Sequence, residues 1–288
     1  MMIQIESNSE NLRSISEIFT SRSFRKILNY NDYNVMDERI SKYISMERSY
    51  NRKQILNHLY KFLYNNYRSE YLYKNTLLNK ILLGKYSTNT STAFDEFKIG
   101  FSIADFVLLN GEAKVYEIKT ELDSLEKLDK QLKDYSKFAD KIYIVTNAKF
   151  LPELINEYSN TTIGLIELTK RNTLNTILKA KSNYLAFDHE TIFKTLRKKE
   201  YLSITFNSFG YIPKVPNILI YQECLELLKK IPVEEFQSKA LNELKKRKLK
   251  CPKHLNSKST PYELKYICHK LDLEEKQYEN LQVFLNQN

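Results

Sequence analysis

The sequence predicts an α/β protein with a mixed sheet flanked by helices and with helical N-terminal and C-terminal extensions. Between residues 94 and 168, strand-like segments rich in Phe, Ile and Val alternate with helical segments. The residues before this stretch, and those after about Asn172, have helical hydrophobic spacing instead. The chain has 288 residues, of which 42% are hydrophobic, so it is long enough to bury such a core.

Two helices are expected before the first strand. Leu56, Leu59 and Leu63 recur at helical spacing and indicate the first of them. The second runs from about residue 71 to residue 83, where Gly84 follows in the position of a C-terminal cap. Polar residues then form a loop before the pattern changes to strand.

A β-hairpin follows this loop. Its first arm is Phe94–Leu109 and its returning strand is Lys114–Lys119. Asn110 and Gly111 lie between the arms and are typical of a two-residue hairpin turn, in which both positions need φ > 0. The turn brings the arms side by side, so that residues from both can meet.

Helices and strands alternate after the hairpin. Asp123 and Glu126 have the spacing of a capping box, so a helix is expected from there to about residue 140. Lys141–Thr146 is a short apolar strand, Pro152 begins another helix, and Thr162–Leu168 is the last strand.

This order of elements divides the chain into three parts. Residues 1–65 are predicted to be a helical N-terminal extension, and residues 66–170 are the α/β core. Residues 171–288 form a helical C-terminal region to which the sequence assigns no role.

The charge balance favours a polyanionic partner. Lys and Arg total 45 against 35 Asp and Glu, which gives a formal net charge of +10. The five glycines are too far apart for a GxGxxG or Walker A loop, which excludes the two commonest nucleotide-phosphate cradles. Three cysteines cannot form a disulfide framework, and the first ten residues are polar and acidic. A cytoplasmic protein that does not enter a membrane is therefore expected.

Two carboxylates and one ammonium are expected to converge at one end of the hairpin. Glu117 and Lys119 lie two positions apart on the returning strand and so point to the same face. The turn folds Asp105, on the first arm, back toward them. Hydrolysis of a phosphodiester needs such a set, because carboxylate oxygens hold Mg²⁺ or Mn²⁺ and a lysine offsets charge on the phosphate.

Asp105 is followed, after eleven residues, by Glu117-Ile118-Lys119. This spacing resembles the PD-(D/E)XK nuclease superfamily, which has a restriction-endonuclease-like fold. Ala104 stands where the name motif has Pro, a residue that many members lack. The resemblance is clear from about residue 94 to residue 147, and the superfamily core of a helix, a three-strand meander, a helix and a strand matches the predicted order.

The helix after the motif extends the resemblance. Gln131 and Tyr135 are similar to the Q-x-x-x-Y of RecB-like members. The run from residue 103 to residue 135 resembles, more closely, an uncharacterised group of bacterial and phage-borne proteins within the superfamily. At helical spacing, Leu128, Leu132 and Tyr135 share one apolar stripe, and lysines occupy the opposite side.

The resemblance implies a role for each residue of the motif. Asp105 and Glu117 would hold Mg²⁺ or Mn²⁺ together with the backbone carbonyl of Ile118. Lys119 would position the attacking water and stabilise the transition state, and Gln131 would orient the site. Cleavage would leave a 5′-phosphate.

The superfamily often adds a carboxylate from the helix before the sheet. Glu70, near the start of the second predicted helix, is the first candidate for this additional metal ligand. Glu96, which shares a strand face with Lys98, is the alternative.

The expected function is a metal-dependent nuclease that acts on DNA rather than RNA. Nucleic acid would be bound by Tyr135 and by four lysines, Lys127, Lys130, Lys198 and Lys246. A homodimer, a protein partner from the same operon, and a role in anti-phage defence or on a mobile element are further expectations from the resemblance. The alternative is a non-catalytic nucleic-acid- or partner-binding module on a nuclease-like fold.

Overall fold

A computed structural model of the chain describes residues 3–5, 8–46 and 49–287. The chain divides into two compact units, one made of Met1–Tyr86 with Leu249–Asn288 and the other of Ser87–Lys248. This division differs from the boundaries expected after residues 65 and 170, because the C-terminal segment folds with the N-terminal helices. The predicted fold class is confirmed, since a six-stranded mixed sheet is flanked by helices and helical parts precede and follow it.

The first unit is helical apart from a small antiparallel sheet that the sequence analysis did not predict. Its elements before the second unit are β1 (Ile3–Ile5), α1 (Ser9–Ser16), α2 (Ser21–Tyr30), α3 (Asn34–Tyr43), β2 (Ile44–Met46), α4 (Arg52–Asn66) and α5 (Glu70–Leu77). A 3₁₀ turn at Glu17–Phe19 separates α1 from α2, and a π-helix at Leu78–Lys85 continues α5. β1 pairs with β2.

The two helices predicted here exist, but the second one ends differently. Leu56, Leu59 and Leu63 are buried on one face of α4, as their spacing predicted. Gly84 does not cap a helix, because the π-helix continues past it to Lys85. A Cβ at Gly84 would lie 3.0 Å from the carbonyl oxygen of Asn79, so the wide turn leaves room for glycine and for little else.

The second unit is built on the six-stranded sheet. Its strands are β3 (Thr92–Ile99), β4 (Ser102–Leu109), β5 (Ala113–Ile118), β6 (Lys141–Thr146), β7 (Gly164–Leu168) and β8 (Leu174–Leu178), which lie side by side in chain order. β3, β4 and β5 form an antiparallel meander. β5, β6 and β7 are parallel, and β8 returns antiparallel to β7.

Helices of this unit share one hydrophobic core with the sheet. They are α6 (Leu128–Ser136), α7 (Leu151–Tyr158), α8 (His189–Lys194), α9 (Lys198–Phe209), α10 (Ile220–Leu228) and α11 (Val233–Leu244), with a 3₁₀ turn at Tyr184–Ala186. Leu128, Leu132 and Tyr135 of α6 are buried in this core, which confirms the predicted apolar stripe.

The meander differs from the single hairpin that was predicted. The expected first arm is two strands, β3 and β4, joined by a tight turn at Gly100 and Phe101. Gly100 has φ of +60° there. The turn between β4 and β5 spans three residues, and only Gly111 has a positive φ, so the prediction for Asn110 was wrong. A three-residue connection needs one left-handed position instead of two.

The elements after the meander agree in part with prediction. The strand at Lys141–Thr146 is confirmed, and so is a proline at the start of α7. α6 begins at Leu128 and not at Asp123, whose Oδ2 instead accepts hydrogen bonds of 2.8 Å from the backbone N–H and the hydroxyl of Thr120. β7 is not the last strand, because β8 follows it. No residue of β8 is fully buried, and the strand lacks the apolar alternation that would have marked it.

The C-terminal segment completes the first unit. It contains α12 (Pro252–Asn256), a 3₁₀ turn at Tyr262–Leu264, α13 (Lys265–Leu271) and α14 (Glu275–Asn286). α13 packs against α5, and α14 packs against α2 and α4. Among the described residues, no helix combines the length and the apolar character that crossing a membrane requires.

Candidate active site

The sheet opens where β4 and β5 separate. Their pairing ends at Phe106 and Tyr116, and beyond this point β5 continues to pair with β6. The backbone N–H of Lys119 donates to the carbonyl of Val145 at 2.9 Å, so the N–H and C=O of the preceding residue, Ile118, face β4. The sheet thus leaves the N–H and the C=O of one residue of β5, Ile118, directed into the opening.

Asp105 fills this opening from the β4 side. The backbone N–H of Ile118 donates to its Oδ2 atom at 2.8 Å, in place of a strand-to-strand hydrogen bond. In the register of β4 and β5, Asp105 lies opposite Glu117, one step beyond the last pair. The structure therefore brings the two carboxylates of the predicted motif to one end of the meander.

β3 changes direction across from Asp105. Glu96 has φ of 51°, and the register skips it while pairing the residues on either side with β4. The rings of Phe94 and Phe97 stack with their centroids 4.9 Å apart, although a regular strand would place them on opposite faces. The left-handed residue reverses the alternation, so both rings enter the core and exposed Glu96 stays beside Asp105.

A hydrogen-bonded network joins the remaining motif residues. The ammonium of Lys119 lies 2.9 Å from Glu117 Oε1 and donates at 2.9 Å to Gln131 Oε1. The hydroxyl of Tyr135 lies 2.8 Å from Glu117 Oε2 and 2.8 Å from the carbonyl oxygen of Ile103. Four side chains from β5 and α6 are thereby fixed relative to one another.

Burial controls the charge of this network. Glu117 is 1% exposed, and burial raises the pKa of its carboxyl even though Lys119, Tyr135 and Gln131 act in the opposite direction. Burial, and then the neighbouring carboxylate, raises the pKa of Tyr135, which stays a neutral hydroxyl. That hydroxyl has one proton and lies 2.8 Å from two acceptors, the carbonyl oxygen of Ile103 and Glu117 Oε2.

Asp134 holds α6 against the turn between β3 and β4. Its Oδ2 atom accepts from the backbone N–H of Phe101 at 3.1 Å and from the hydroxyl of Ser102 at 2.8 Å. A Cβ at Gly100 would lie 3.0 Å from Asp134 Oδ1, so this close approach also requires glycine. The sequence analysis missed Asp134, whose signal is an acidic residue adjacent to the apolar stripe of a lysine-rich helix.

The end of β5 is fixed by a neighbour that was also missed. Thr146 Oγ1 donates to the carbonyl of Lys119 at 2.8 Å, and Asn147 Nδ2 lies 3.4 Å from the same oxygen. Both side chains are buried. Two polar residues at the end of an otherwise apolar strand are the sequence signal for this contact.

Two predicted site residues have different surroundings from those expected. Tyr135 was predicted to contact nucleic acid, but its side chain is fully buried, so that prediction was wrong; its hydroxyl supports Glu117 instead. Glu70 belongs to the other compact unit, at the start of α5, where its carboxylate lies 2.6 Å from Lys74 Nζ. Of the two candidate additional carboxylates, Glu96 is the one that lies in the unit of Asp105.

The four lysines predicted to bind nucleic acid fall into two groups. Lys127 and Lys130 are exposed at the start of α6, on the helix that carries Gln131. Lys198 donates to Asn217, and Lys246 lies 2.6 Å from Glu243. The first group thus shares a helix with Gln131 of the candidate site, whereas the second belongs to α9 and to the segment after α11.

The donor atoms at the opening fit a hard divalent cation. Asp105 and Glu117 supply carboxylate oxygens, and the carbonyl of Ile118 faces the side of β4, where Asp105 lies. Ionised carboxylates have lone pairs beyond those that accept the hydrogen bonds from Lys119 and Tyr135. Nowhere in residues 3–5, 8–46 and 49–287 are three His, Cys, Asp or Glu side chains grouped to hold a metal, so the Ile118 carbonyl would be the third donor.

Parts of the chain are similar to a curated phage protein and to a solved structure. Protein cII of Enterobacteria phage P4 is 25% identical over 186 residues, which cover 62% of this chain and 64% of that protein's length. A protein of unknown function from Silicibacter pomeroyi shares 18% identity over 33% of this chain and 62% of its own. Its TM-score of 0.27 is too low to support a structural argument.

The family comparison covers the site. The family model of bacteriophage P4 protein cII matches residues 64–268, which is more than half of the chain and includes the meander and α6. The chain therefore belongs to the bacteriophage P4 protein cII family.

Proposed function

We propose that the unit formed by residues 87–248 is a metal-dependent nuclease of the PD-(D/E)XK type that hydrolyses phosphodiester bonds of DNA. The observation that carries the proposal is the contact of Lys119 with both Glu117 and Gln131, beside Asp105 at the open end of the meander. A structural ion pair needs no such opening in the sheet. A phosphodiester does, because its phosphate must reach the carboxylates and the ammonium together.

In this proposal Asp105, Glu117 and the carbonyl of Ile118 hold Mg²⁺ or Mn²⁺. When bound, the metal polarises the phosphoryl oxygen and lowers the pKa of a coordinated water. Asp105 is held in place by the Ile118 N–H, and Glu117 by Lys119 and Tyr135. The carboxylates therefore need little rearrangement on binding.

Lys119 has the central role among the side chains. The residue is 8% exposed, and its ammonium lies between the Glu117 carboxyl and the Gln131 side-chain oxygen, which fixes its position. From there it can orient the attacking water and offset negative charge that develops on the phosphate. Gln131 is a positioning residue, because it acts through Lys119.

The biological context belongs to the proposal as well. The curated relative is a phage protein, which supports an origin on a mobile element. The net charge of +10 supports a nucleic-acid substrate with salt-sensitive affinity. A homodimer, an operon-encoded partner and a role in anti-phage defence stay predictions.

The test is cleavage of labelled duplex DNA, single-stranded DNA and RNA with Mg²⁺, Mn²⁺ or EDTA. We expect metal-dependent cleavage of DNA that Lys119→Ala and Asp105→Asn each reduce by at least about 100-fold. Lys179→Ala, at an exposed lysine just after β8, is the matched control and is expected to cut like the wild type.

Two results would contradict the proposal. Equal cutting by the wild type and Lys119→Ala would show that the activity does not come from this site. Absence of cutting with every metal, together with metal-independent and salt-sensitive DNA binding, would favour the non-catalytic binding module.

A further inference from the structure

We propose that Phe101, at the turn between β3 and β4, is a stacking surface for an unpaired base, which makes single-stranded DNA the substrate of the neighbouring site. The inference rests on the proposed function, because single-stranded DNA is a substrate only if the site cleaves it. The binding of the strand to Phe101 can nevertheless be measured without cleavage. The first observation is that two large apolar side chains of this region are exposed to solvent. Phe101 is 86% exposed and Ile103, two residues on, is 55% exposed.

These exposed side chains precede Asp105 of the candidate site along the chain. Ile103 and Asp105 are two positions apart on β4, and Phe101 precedes them by another two. At about 3.3 Å per residue, the Phe101 backbone lies roughly 13 Å from Asp105, a distance that about four stacked nucleotides span. A strand bound with one base on Phe101 would therefore have a phosphate near the carboxylates.

The turn that carries Phe101 is held in place. Its own N–H and the hydroxyl of Ser102 both donate to buried Asp134, and the carbonyl of Ile103 accepts from Tyr135. Asp134 and Tyr135 belong to α6, which also contacts Glu117 and Lys119. The ring is thus presented on a backbone fixed to the site, so that binding a base costs little further ordering of the chain.

The charge around the turn favours nucleic acid over an apolar protein segment. Lys98 is exposed and pairs in register with Ile103. Lys130 and Lys133 on α6, and Lys127 just before it, are exposed, and the turn is hydrogen-bonded to this helix. Exposed lysines on the elements that hold an aromatic ring suit a single strand, because lysines can contact its phosphates and the ring can stack on any base.

A single strand fits this surface better than a duplex. In a duplex, each base is already stacked between its neighbours, and a base would have to leave the helix to reach the ring. In a single strand the base faces are accessible without that cost. The structure therefore favours single-stranded or locally unpaired DNA at this turn.

The experiment measures the affinity of the full-length protein for a fluorescently labelled single-stranded oligonucleotide and for its duplex in EDTA. We expect Phe101→Ala to weaken single-strand binding by about 5- to 100-fold, the range that loss of one base–aromatic stack predicts. Phe101→Trp keeps a ring and is expected to bind like the wild type. Phe206→Ala removes another exposed ring of the same unit, on α9, and serves as the control.

The outcomes separate this inference from the proposed function. Single-strand affinity that Phe101→Ala leaves unchanged, or weakens no more than duplex affinity, would overturn the inference even if the protein cuts DNA. Loss of single-strand binding in Phe101→Ala and not in Phe206→Ala supports it, even if no metal yields cleavage. In a cleaving enzyme, Phe101→Ala should raise KM for single strands and leave kcat nearly unchanged.

Discussion

Two carboxylate–cation pairs of the second unit are built from similar side chains and differ in their energetics. Glu117 contacts Lys119 at the open end of the meander. Glu200, near the start of α9, accepts from Arg247 through both oxygens, at 2.6 Å each, and from the backbone N–H of Arg197 at 2.6 Å. Arg247 also donates to the carbonyl of Thr195.

The pKa values of the Glu117 and Glu200 carboxyls are shifted in opposite directions. Burial raises the pKa of Glu117, and its hydrogen bonds do not reverse this. Burial also acts on Glu200, but the hydrogen bonds from Arg247 and the Arg197 backbone outweigh it and lower its pKa. The Glu200 pair therefore stabilises the fold, whereas Glu117 is kept in a position that disfavours its own charge. That contrast is typical of a functional site beside a structural one.

The largest expected effect on stability tests the structural pair. Arg247→Ala should lower the free energy of unfolding by about 2–3 kcal/mol, because it leaves the Glu200 carboxylate, whose side chain is only 12% exposed, without its bidentate partner. Urea denaturation measures this loss. Arg247→Lys keeps the positive charge but loses the paired donors of the guanidinium. Its free energy of unfolding should therefore lie between those of the wild type and Arg247→Ala.

DNA cleavage per folded molecule should be unaffected by these Arg247 variants. A variant as stable as the wild type would show that the Glu200 pair contributes nothing to the fold.

A smaller effect is expected at the site. Tyr135→Phe removes the hydroxyl that lies between Glu117 and the Ile103 carbonyl, and should reduce the free energy of unfolding by about 1 kcal/mol. Urea denaturation of the wild type and the variant measures this loss in the free energy of unfolding. Tyr158→Phe, which removes a hydroxyl that donates to Asp129 on the exposed side of α6, is the matched control. A Tyr135→Phe variant that loses no more stability than this control would contradict a supporting role for the hydroxyl.

The finest test compares stability as a function of pH in EDTA. Because the pKa of Glu117 is raised, the stability of the wild type relative to Glu117→Gln should fall as pH rises from about 4.3 through the folded pKa. Because the pKa of Glu200 is lowered, its advantage over Glu200→Gln should be present above about pH 4.3 and lost as pH falls. If the stability difference between the wild type and the Gln variant changed in the same direction with pH at both positions, the proposed contrast between the two pairs would be wrong.

Much of the candidate site was accessible from local patterns. Alternation on β5 predicted that Glu117 and Lys119 share a face, and helical spacing predicted Gln131 beside Tyr135. The contact between Lys119 and Gln131 follows once α6 packs on the sheet through its apolar stripe. The burial of the Tyr135 ring follows from the same stripe, but the partners of its hydroxyl, Glu117 and the carbonyl of Ile103, were not accessible in this way, because they lie on strands distant in the chain.

The sequence by itself determined the strands β5 and β6, the apolar face of α6 and the order of its site residues. These features depend on periods of two and of 3.6 residues, which the backbone imposes locally. Only the tertiary structure decided the reversal at Glu96, the attachment of the turn to Asp134 and the return of the C-terminal segment to the first unit. Each of these depends on segments that are distant in the chain. Their contacts offset the free-energy cost of a left-handed residue or a buried carboxylate only after folding brings the segments together.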